Sequence, residues 1–264
     1  MAQAAVALGD GAKATVRKVE IDRPWTWLEK GWDDLRRNPT IGFSYGLLAA
    51  VTGYLITYGL WWSGYYYLVL PCVAGFLIVG PILTVGLYEV SRRQEEGLHT
   101  TMAQALAAFQ RNPTQVALMG LALLLLMMVW ARFATILFFL YFGMTPPSFE
   151  DLFAQTFLQA DTIPFLVLGV GTGAVLAFIA FSISAVSIPL LLDRPEANVV
   201  EAMAKSFEAV QANLAAMLLW AGLIVVFMLA GLITFYIGLI VTLPLVGHAS
   251  WHAYRDLVRW SDRP

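Results

Sequence analysis

Long apolar runs without charge dominate the chain. Lys, Arg, Asp and Glu are absent from five stretches, residues 38–88, 112–130, 133–149, 162–192 and 209–254. About 20 apolar residues are enough for one helix to cross the hydrocarbon core of a bilayer, so the first and last runs are each long enough for two crossings. The pattern predicts an all-α polytopic membrane protein with six transmembrane helices.

The predicted spans begin at recognisable signals. Asn38-Pro39 and Asn112-Pro113 each place a capping residue before a proline at the first helical position, where the missing N–H has no consequence. The division of the last run near Gly231 has no strong turn signal. The predicted spans cover about 39–62, 65–90, 113–142, 164–192, 211–230 and 232–254.

The distribution of basic residues predicts the orientation. Fifteen of the sixteen Lys and Arg residues lie in the two terminal segments or in the connections after the second and fourth spans. Because such residues are enriched on the cytoplasmic side, both termini are predicted to be cytoplasmic. The long outer connection is acidic, and its Ser148 to Asp151 pattern predicts a capped helix lying on the outer leaflet through Phe157.

Each pair of spans is preceded by a similar amphipathic segment. Upstream of Asn38, Asn112 and Asn213, apolar residues recur three, six and ten positions back, which is one face of a helix. Each pair also carries a proline in its second span. The residues three positions back are Leu35, Phe109 and Val210, those six back are Trp32, Leu106 and Phe207, and those ten back are Leu28, Met102 and Met203. The prolines are Pro81, Pro189 and Pro244.

This periodicity predicts three parallel repeats, each an amphipathic helix followed by a transmembrane hairpin. They cover about residues 23–93, 100–194 and 198–257, in a single membrane domain of residues 23–264 that follows a disordered cytoplasmic tail, residues 1–22. Parallel repeats of this kind can be arranged around an axis along the membrane normal.

Composition excludes several classes of function. With 16 basic and 18 acidic residues and no basic block, the chain lacks the electrostatic footprint of a nucleic-acid-binding protein. The single cysteine, Cys72, gives neither a disulfide framework nor a CxxC pair. No GxSxG, HExxH or phosphate-loop motif occurs, and GVGTG at Gly169–Gly173 lies inside a span. The sequence therefore predicts no enzymatic activity and no resident cofactor.

Several segments resemble one family. From Pro24 to Val258 the sequence is similar to an uncharacterised family of bacterial six-pass integral membrane proteins, filed as a domain of unknown function. The resemblance implies a fold, a topology and a bacterial inner-membrane location, and it implies no reaction, ligand or partner. It is carried by PWTWLEKGWDDL (24–35), YGLL (45–48), GFLIVGP (75–81), GLYEVSRR (86–93), SIPLLLDR (187–194) and LPLVGHASWHAYRDL (243–257).

His248, His252 and Asp256 form the most chemically suggestive constellation. Residues four apart on a helix lie one above the other, so two imidazoles at this spacing can hold one metal ion or flank a haem edge. His248 and Asp256 are about 12 Å apart along such a helix, too far for one ion to bind all three. The alternative is that these residues hydrogen-bond inner-face helices and lipid headgroups.

Charged residues next to or inside the apolar runs are a second set of candidate functional residues. Arg132 is the only charge between Asn112 and Phe149, and it either faces a partner inside the membrane or extends to the outer headgroups. Arg92 and Arg93 occupy an exit from one hairpin that is equivalent to that of Asp193 and Arg194. Together with Glu95 and Glu96, these four residues form either an inner-face network or a solvated rim.

Three functions are consistent with the sequence. The scarcity of polar residues within the spans favours a non-catalytic accessory or scaffold protein that binds other membrane proteins, since transport pathways require polar groups. A permease for a small solute or lipid would use the threefold axis, Arg132 and kinks at Pro81, Pro189 and Pro244. The third function is metal or haem binding at His248 and His252.

Overall fold

The structure is a computed structural model that describes residues 13–143 and 159–261, together with Val6, Ala7, Ser148 and Asp151. Of the predicted helix on the outer leaflet, only the start is described: the Asp151 amide donates to Ser148 Oγ at 3.2 Å. The remaining residues of that prediction lie outside the described part of the chain.

Helices form most of the described chain. Short 3₁₀ turns occur at Tyr66–Leu68, Ala107–Arg111 and Ala160–Thr162. The α-helices are α1 (Arg23–Arg37), α2 (Pro39–Trp62), α3 (Val69–Leu83), α4 (Val85–Glu95), α5 (Met102–Leu106), α6 (Pro113–Phe142), α7 (Ile163–Ser184), α8 (Ser187–Asp193), α9 (Val199–Ala212), α10 (Leu214–Ile233) and α11 (Leu239–Leu257).

Within the described residues, five helical segments are long and apolar enough to cross a membrane. They are Pro39–Trp62, Tyr66–Glu95, Pro113–Phe142, Ile163–Asp193 and Leu214–Ile233. The chain is therefore an all-α polytopic membrane protein. Helix α11, which occupies the predicted sixth span, is not among the five, because its second half carries His248, His252, Arg255 and Asp256.

Helix α11 is the buried centre of the fold. It contacts α1, α2, α4 and α10, and its residues from Leu243 to Ala249 are all buried. Two glycines permit this packing: a Cβ on Gly46 of α2 would lie 2.4 Å from the Ile240 carbonyl oxygen, and one on Gly31 of α1 would lie 2.7 Å from the Ala249 nitrogen. Pro244 removes the hydrogen bond that the Ile240 carbonyl would otherwise accept within the helix, so Gly46 packs against a freed carbonyl group.

The turn before α11 differs from the predicted break near Gly231. Helix α10 continues to Ile233, and the chain reverses through Phe235 and Tyr236, whose φ angles are +52° and +69°. Such left-handed conformations are strained for residues with a side chain. The Tyr236 hydroxyl and Thr57 Oγ1, 2.5 Å apart, hold this turn against α2.

The three asparagines at the helix junctions share one backbone conformation. Their φ, ψ angles are −129°, 59° at Asn38, −147°, 65° at Asn112 and −130°, 38° at Asn213. The prediction that the side chains of Asn38 and Asn112 cap the following helices is wrong, because neither makes a capping hydrogen bond. Asn112 Nδ2 donates instead to the Leu191 and Ala197 carbonyls, and Asn213 Nδ2 to the Arg17 and Ala209 carbonyls.

The amphipathic segments before these asparagines differ in regularity. Helices α1 and α9 are continuous, whereas the middle segment is a short α5 followed by a 3₁₀ turn. Leu35 and Val210, three positions back, are buried, but Phe109 is exposed because the 3₁₀ turn changes the helical phase. The residues six positions back, Trp32, Leu106 and Phe207, are all exposed.

The amino-terminal segment is more ordered than the sequence predicts. Among the described residues, the strands β1 (Val6–Ala7), β2 (Lys13–Val16) and β3 (Val258–Trp260) form an antiparallel sheet in that order. Strand β2 pairs with β3 directly after α11, and Asn213 Oδ1 accepts from the Val19 amide at 2.8 Å. The prediction that residues 1–22 are disordered is therefore wrong for residues 13–22. Local composition does not reveal their pairing with the distant carboxyl-terminal strand.

Candidate functional site

Charged residues from α1, α4, α8 and α11 converge at the end of the bundle where the three junction asparagines lie, which we call the polar end. His252 of α11 is at its centre. Its Nε2 lies 2.8 Å from Asp34 Oδ2 on α1, and its Nδ1 lies 3.7 Å from Glu95 Oε1 on α4. Arg255 Nε donates to the other Glu95 oxygen at 3.0 Å. One histidine thus connects two helices that are far apart in sequence.

His248 lies one turn earlier on α11 and has different neighbours. Its side chain is completely buried, and Nδ1 is 2.8 Å from Ser91 Oγ on α4. Nε2 is buried without a hydrogen-bond partner among the described residues. Both histidines therefore face α4, and His252 contacts α1 as well.

Asp256 anchors the amino-terminal segment. Its Oδ2 accepts from Arg23 Nε at 2.7 Å and from Trp27 Nε1 at 3.0 Å, and its Oδ1 lies 3.5 Å from Arg17. Burial raises the pKa of this carboxyl, but the hydrogen bonds from Arg23 and Trp27 and the charges of Arg23 and Arg17 have the larger combined effect and lower it. The hydrogen bond to Asp256 likewise raises the pKa of Arg23.

The three residues of the predicted metal or haem site, His248, His252 and Asp256, have separate partners. The described part of the chain contains no group of three or more His, Cys, Asp or Glu side chains placed to hold a metal ion. Both His252 nitrogens face carboxylates, and Asp256 is engaged by the α1 side chains. The geometry matches the alternative interpretation, in which these residues hold inner-face helices together.

The four charged residues at the hairpin exits have separate contacts. Arg92 pairs with Glu89 through two 2.8 Å hydrogen bonds and with Glu96 at 2.7 Å, whereas Arg93 donates to the His99 carbonyl. Asp193 accepts from the Tyr254 hydroxyl at 2.8 Å and lies 3.9 Å from Arg255. The Arg194 guanidinium is 4.2 Å from the centre of the Trp260 ring, within the range of a cation–π contact.

Arg132 lies far from these groups. It is exposed on α6, 19 residues after Pro113, about 28 Å along a helix that rises 1.5 Å per residue. This position is close to the full thickness of a hydrocarbon core and is compatible with a side chain that extends to the headgroups.

A central cavity of about 90 Å³ lies between the second helices of the three predicted hairpins, α3, α7 and α11, and is also lined by α10. Pro81, Phe181, Trp220 and Leu243 are among its mostly apolar lining residues. Pro81 and Pro244 are inside helices, and α8 begins two residues before Pro189.

Sequence reasoning missed Asp34 and Gln94 as parts of the polar end. For Asp34 a signal exists: it falls on the same helical face as Trp27 and Gly31, which are buried in α1. A charge on a buried face requires a partner, but the sequence does not identify a histidine 218 positions away.

The apolar helices and the charged residues at one end of the bundle define a helical integral membrane protein. Residues 69–193, from the start of α3 to the end of α8, match the model of an uncharacterised family described as "Predicted integral membrane protein (DUF2189)". Comparison with curated proteins and with solved structures gave no match.

Proposed function

We propose that this protein is a non-catalytic accessory or scaffold subunit of the bacterial inner membrane that binds other membrane proteins. The observation that carries the proposal is an aromatic face on α2. Tyr54, Tyr58 and Trp62 are all exposed and stack in sequence, with ring centroids 6.5 and 6.3 Å apart.

The depth of this aromatic face distinguishes it from an ordinary interfacial belt. Tyrosine and tryptophan are enriched at the headgroup level, where Trp62 at the end of α2 lies. Tyr54 lies 15 residues after Pro39, about 22 Å along the helix, within a hydrocarbon core about 30 Å thick. An exposed tyrosine hydroxyl at that depth favours a helix of another protein that accepts its hydrogen bond, since lipid chains cannot.

The position of α2 supports the same function. It contacts α11 along the face that contains Gly42 and Gly46, and its opposite face exposes Leu47, Leu48 and Leu55 to the surroundings. The buried charges of the polar end are used in contacts between helices, which supports a structural role rather than a catalytic one.

The proposal includes six passes, with α11 and its preceding turn as the last, and both termini in the cytoplasm. Three parallel repeats are supported by the shared backbone conformation of Asn38, Asn112 and Asn213. Reporter fusions after residue 143 and after residue 261 would test the topology: the first should report the periplasm and the second the cytoplasm.

Co-purification from native membranes tests the scaffold function. The full chain, extracted in mild detergent, should retain at least one other membrane protein in stoichiometric amount. Replacing both Tyr54 and Tyr58 with leucine should abolish that association, whereas Phe178→Leu, at another exposed aromatic residue on α7, should preserve it. Retention of the same partner by the double variant would contradict the proposed α2 interface.

The central cavity supports a second candidate, a permease for a small apolar solute or lipid. In that function α3, α7 and α11 would surround the path, with Pro81 in its wall. Ala177→Phe would fill the cavity and should stop flux into proteoliposomes. The exposed Arg132 lies outside the cavity lining, so Arg132→Leu should leave that flux unchanged.

A further inference from the structure

The central cavity lies beside interruptions in two of the long apolar helical segments. Helix α3 ends at Leu83 and α4 begins at Val85, while α7 ends at Ser184 and α8 begins at Ser187. Thr84 and Ser184, at the two interruptions, both line the cavity. Interrupted helices occur in membranes where the backbone borders a cavity, and transporters bind their ligands at such places. The position of this cavity therefore favours a bound ligand.

The walls of the cavity are mostly apolar and uncharged. Phe76 of α3, Phe181 of α7, and Trp220 and Met228 of α10 are among them. Lys, Arg, His, Asp and Glu are absent from the described residues that line the cavity. Since burying an unpaired charge in such surroundings is costly, the ligand must be uncharged. It is also soluble in lipid, because the walls belong to segments that are apolar enough to cross a membrane.

Ser250 gives the cavity a hydrogen-bond acceptor. This serine of α11 is half-buried, and its Oγ donates to the Val246 carbonyl at 2.7 Å. The hydroxyl hydrogen is thereby used. The Tyr88 hydroxyl can occupy one of the two acceptor positions of Oγ, which leaves the other for a ligand. Thr84 Oγ1 is already engaged, 2.7 Å from the Tyr88 hydroxyl and 3.0 Å from the Pro81 carbonyl oxygen. A ligand that donates one hydrogen bond therefore fits Ser250.

The size of the cavity restricts the shape of the ligand. Its volume is about 90 Å³, whereas an apolar cavity of about 150 Å³ holds one benzene ring. A single alkyl chain fits better than a ring. A Cβ added at Gly80 would have no neighbour within 4 Å among the described residues, so free space reaches the α3 backbone. Because the cavity is partly open, the rest of a longer chain can extend beyond it.

We propose that the central cavity binds the hydroxyl end of an uncharged, straight-chain lipid alcohol. The ligand hydroxyl donates to Ser250 Oγ, and the first carbons of the chain pack against the apolar walls. A fatty-acid carboxylate would bring an uncompensated charge, and an alkane or an ether lacks the donor.

This ligand deepens the second candidate function, on whose cavity it rests, and it does not depend on the α2 interface. Binding and transport are separable. Binding of the alcohol without any flux would support the ligand and contradict the permease.

Photoaffinity labelling of the full-length protein in nanodiscs tests the proposal. The probe is hexadecanol with a diazirine near its hydroxyl end, and the labelled peptides are identified by mass spectrometry. Labels should fall on α3, α7, α10 or α11 at the cavity. At equal mole fraction in the bilayer, unmodified hexadecanol should compete about fivefold better than hexadecyl methyl ether, as expected for one hydrogen bond between neutral groups. Equal competition, or labelling confined to other helices, would overturn the proposal.

Substitution of Ser250 tests the acceptor. Ser250→Ala should abolish the preference for the alcohol over the ether. The matched control is Ser44→Ala, at an exposed serine of α2 whose Oγ makes the same hydrogen bond to its own helix, here to the Thr40 carbonyl at 2.7 Å. This control should keep the preference. A preference that persists in Ser250→Ala would overturn the proposed contact.

Substitution of Gly80 tests the cavity. Gly80→Leu places a side chain in the free space and should abolish labelling, and it should not prevent folding, because leucine is the better helix former. Gly222→Leu on α10, outside the cavity lining, is the control, since a Cβ there also has no neighbour within 4 Å among the described residues. Equal labelling of the two variants would overturn the proposed site.

A prenyl alcohol of equal chain length distinguishes two sources of this chemistry. Its methyl branches widen the chain near the hydroxyl group, so it should compete less well than hexadecanol for a cavity too small for a ring. Better competition by the prenyl alcohol would assign the cavity to isoprenoid lipids and overturn the straight-chain ligand.

Discussion

Nε2 of His252 lies 2.8 Å from Oδ2 of Asp34, which joins the last α-helix of the described chain to the first. Both side chains are buried. A buried hydrogen bond that involves an ionised group contributes more to folding stability than an exposed ion pair does. Removing one partner also leaves the other buried without a hydrogen bond.

Replacing Asp34 should therefore destabilise the protein. Asp34→Ala is expected to lower the free energy of unfolding by about 1–3 kcal/mol, because it leaves a buried imidazole nitrogen without its acceptor. The measurement is thermal unfolding of the purified protein, followed by tryptophan fluorescence.

Glu29→Ala, at an exposed acidic residue on the same helix, is the control and should change the midpoint little. In a double-mutant cycle, Asp34→Ala and His252→Ala should be non-additive. Additive effects would show that the two side chains do not interact.

The close packing of α2 on α11 gives a second prediction. Gly46→Ala would place a Cβ 2.4 Å from the Ile240 carbonyl oxygen and 2.5 Å from the Ile240 Cα, so the helices must separate. We expect a loss of about 1–3 kcal/mol or more in the free energy of unfolding.

Gly59→Ala on the same helix is the matched control, because a Cβ there has no neighbour within 4 Å among the described residues. Alanine is the better helix former, so this variant should be neutral or more stable by up to about 1 kcal/mol. Equal effects of the two substitutions would contradict the observed α2–α11 contact.

The environment of Asp256 predicts a dependence on pH. Since its pKa in the folded protein is lowered from 3.8, the contacts with Arg23, Trp27 and Arg17 stabilise the fold at pH values above that number. This stabilisation should be lost as the pH falls through the lowered pKa. Unfolding midpoints measured from pH 6 to pH 2.5 should decrease more steeply for the parent than for Asp256→Asn, and identical profiles would contradict the assignment.

Pairing of the terminal segments gives a fourth prediction. Thr15 lies opposite Arg259 in the antiparallel β2–β3 ladder. Cysteines at these two positions, in a chain with Cys72→Ser, should form a disulfide on mild oxidation, because opposite residues in such strands lie at bridging distance.

Cysteines at Thr15 and Arg93 provide the control pair and should remain reduced. The crosslink would be detected by a mobility shift that a reducing agent reverses. Failure of the Thr15 and Arg259 pair to crosslink would indicate that the amino-terminal segment does not pair with β3.

Much of the fold follows from local sequence pattern. The Asn-Pro pairs at 38–39 and 112–113 and the long uncharged runs predict where α2 and α6 begin and that they are apolar enough to span a membrane. The outer limit of α10 was predicted less well, because the chain reverses at Phe235 and Tyr236, which are not typical turn residues.

The polar end could not be predicted in the same way. His248 and His252 were identified by their spacing on one helix, but their contacts with Ser91 and Asp34 depend on how separate helices pack. The order of residues 13–22 likewise depends on β3 and Asn213, which are more than 190 positions away. Contacts at such sequence separation leave no local pattern.

The most direct test of the proposed scaffold function is site-specific photocrosslinking at Tyr58 in native membranes. A photoreactive phenylalanine analogue at this position should give a discrete adduct with another membrane protein, identified by mass spectrometry. The same analogue at Phe178 on α7 should give no such adduct. Adducts at Tyr58 with lipid alone, or only with copies of this chain, would contradict the proposal that α2 binds a different membrane protein.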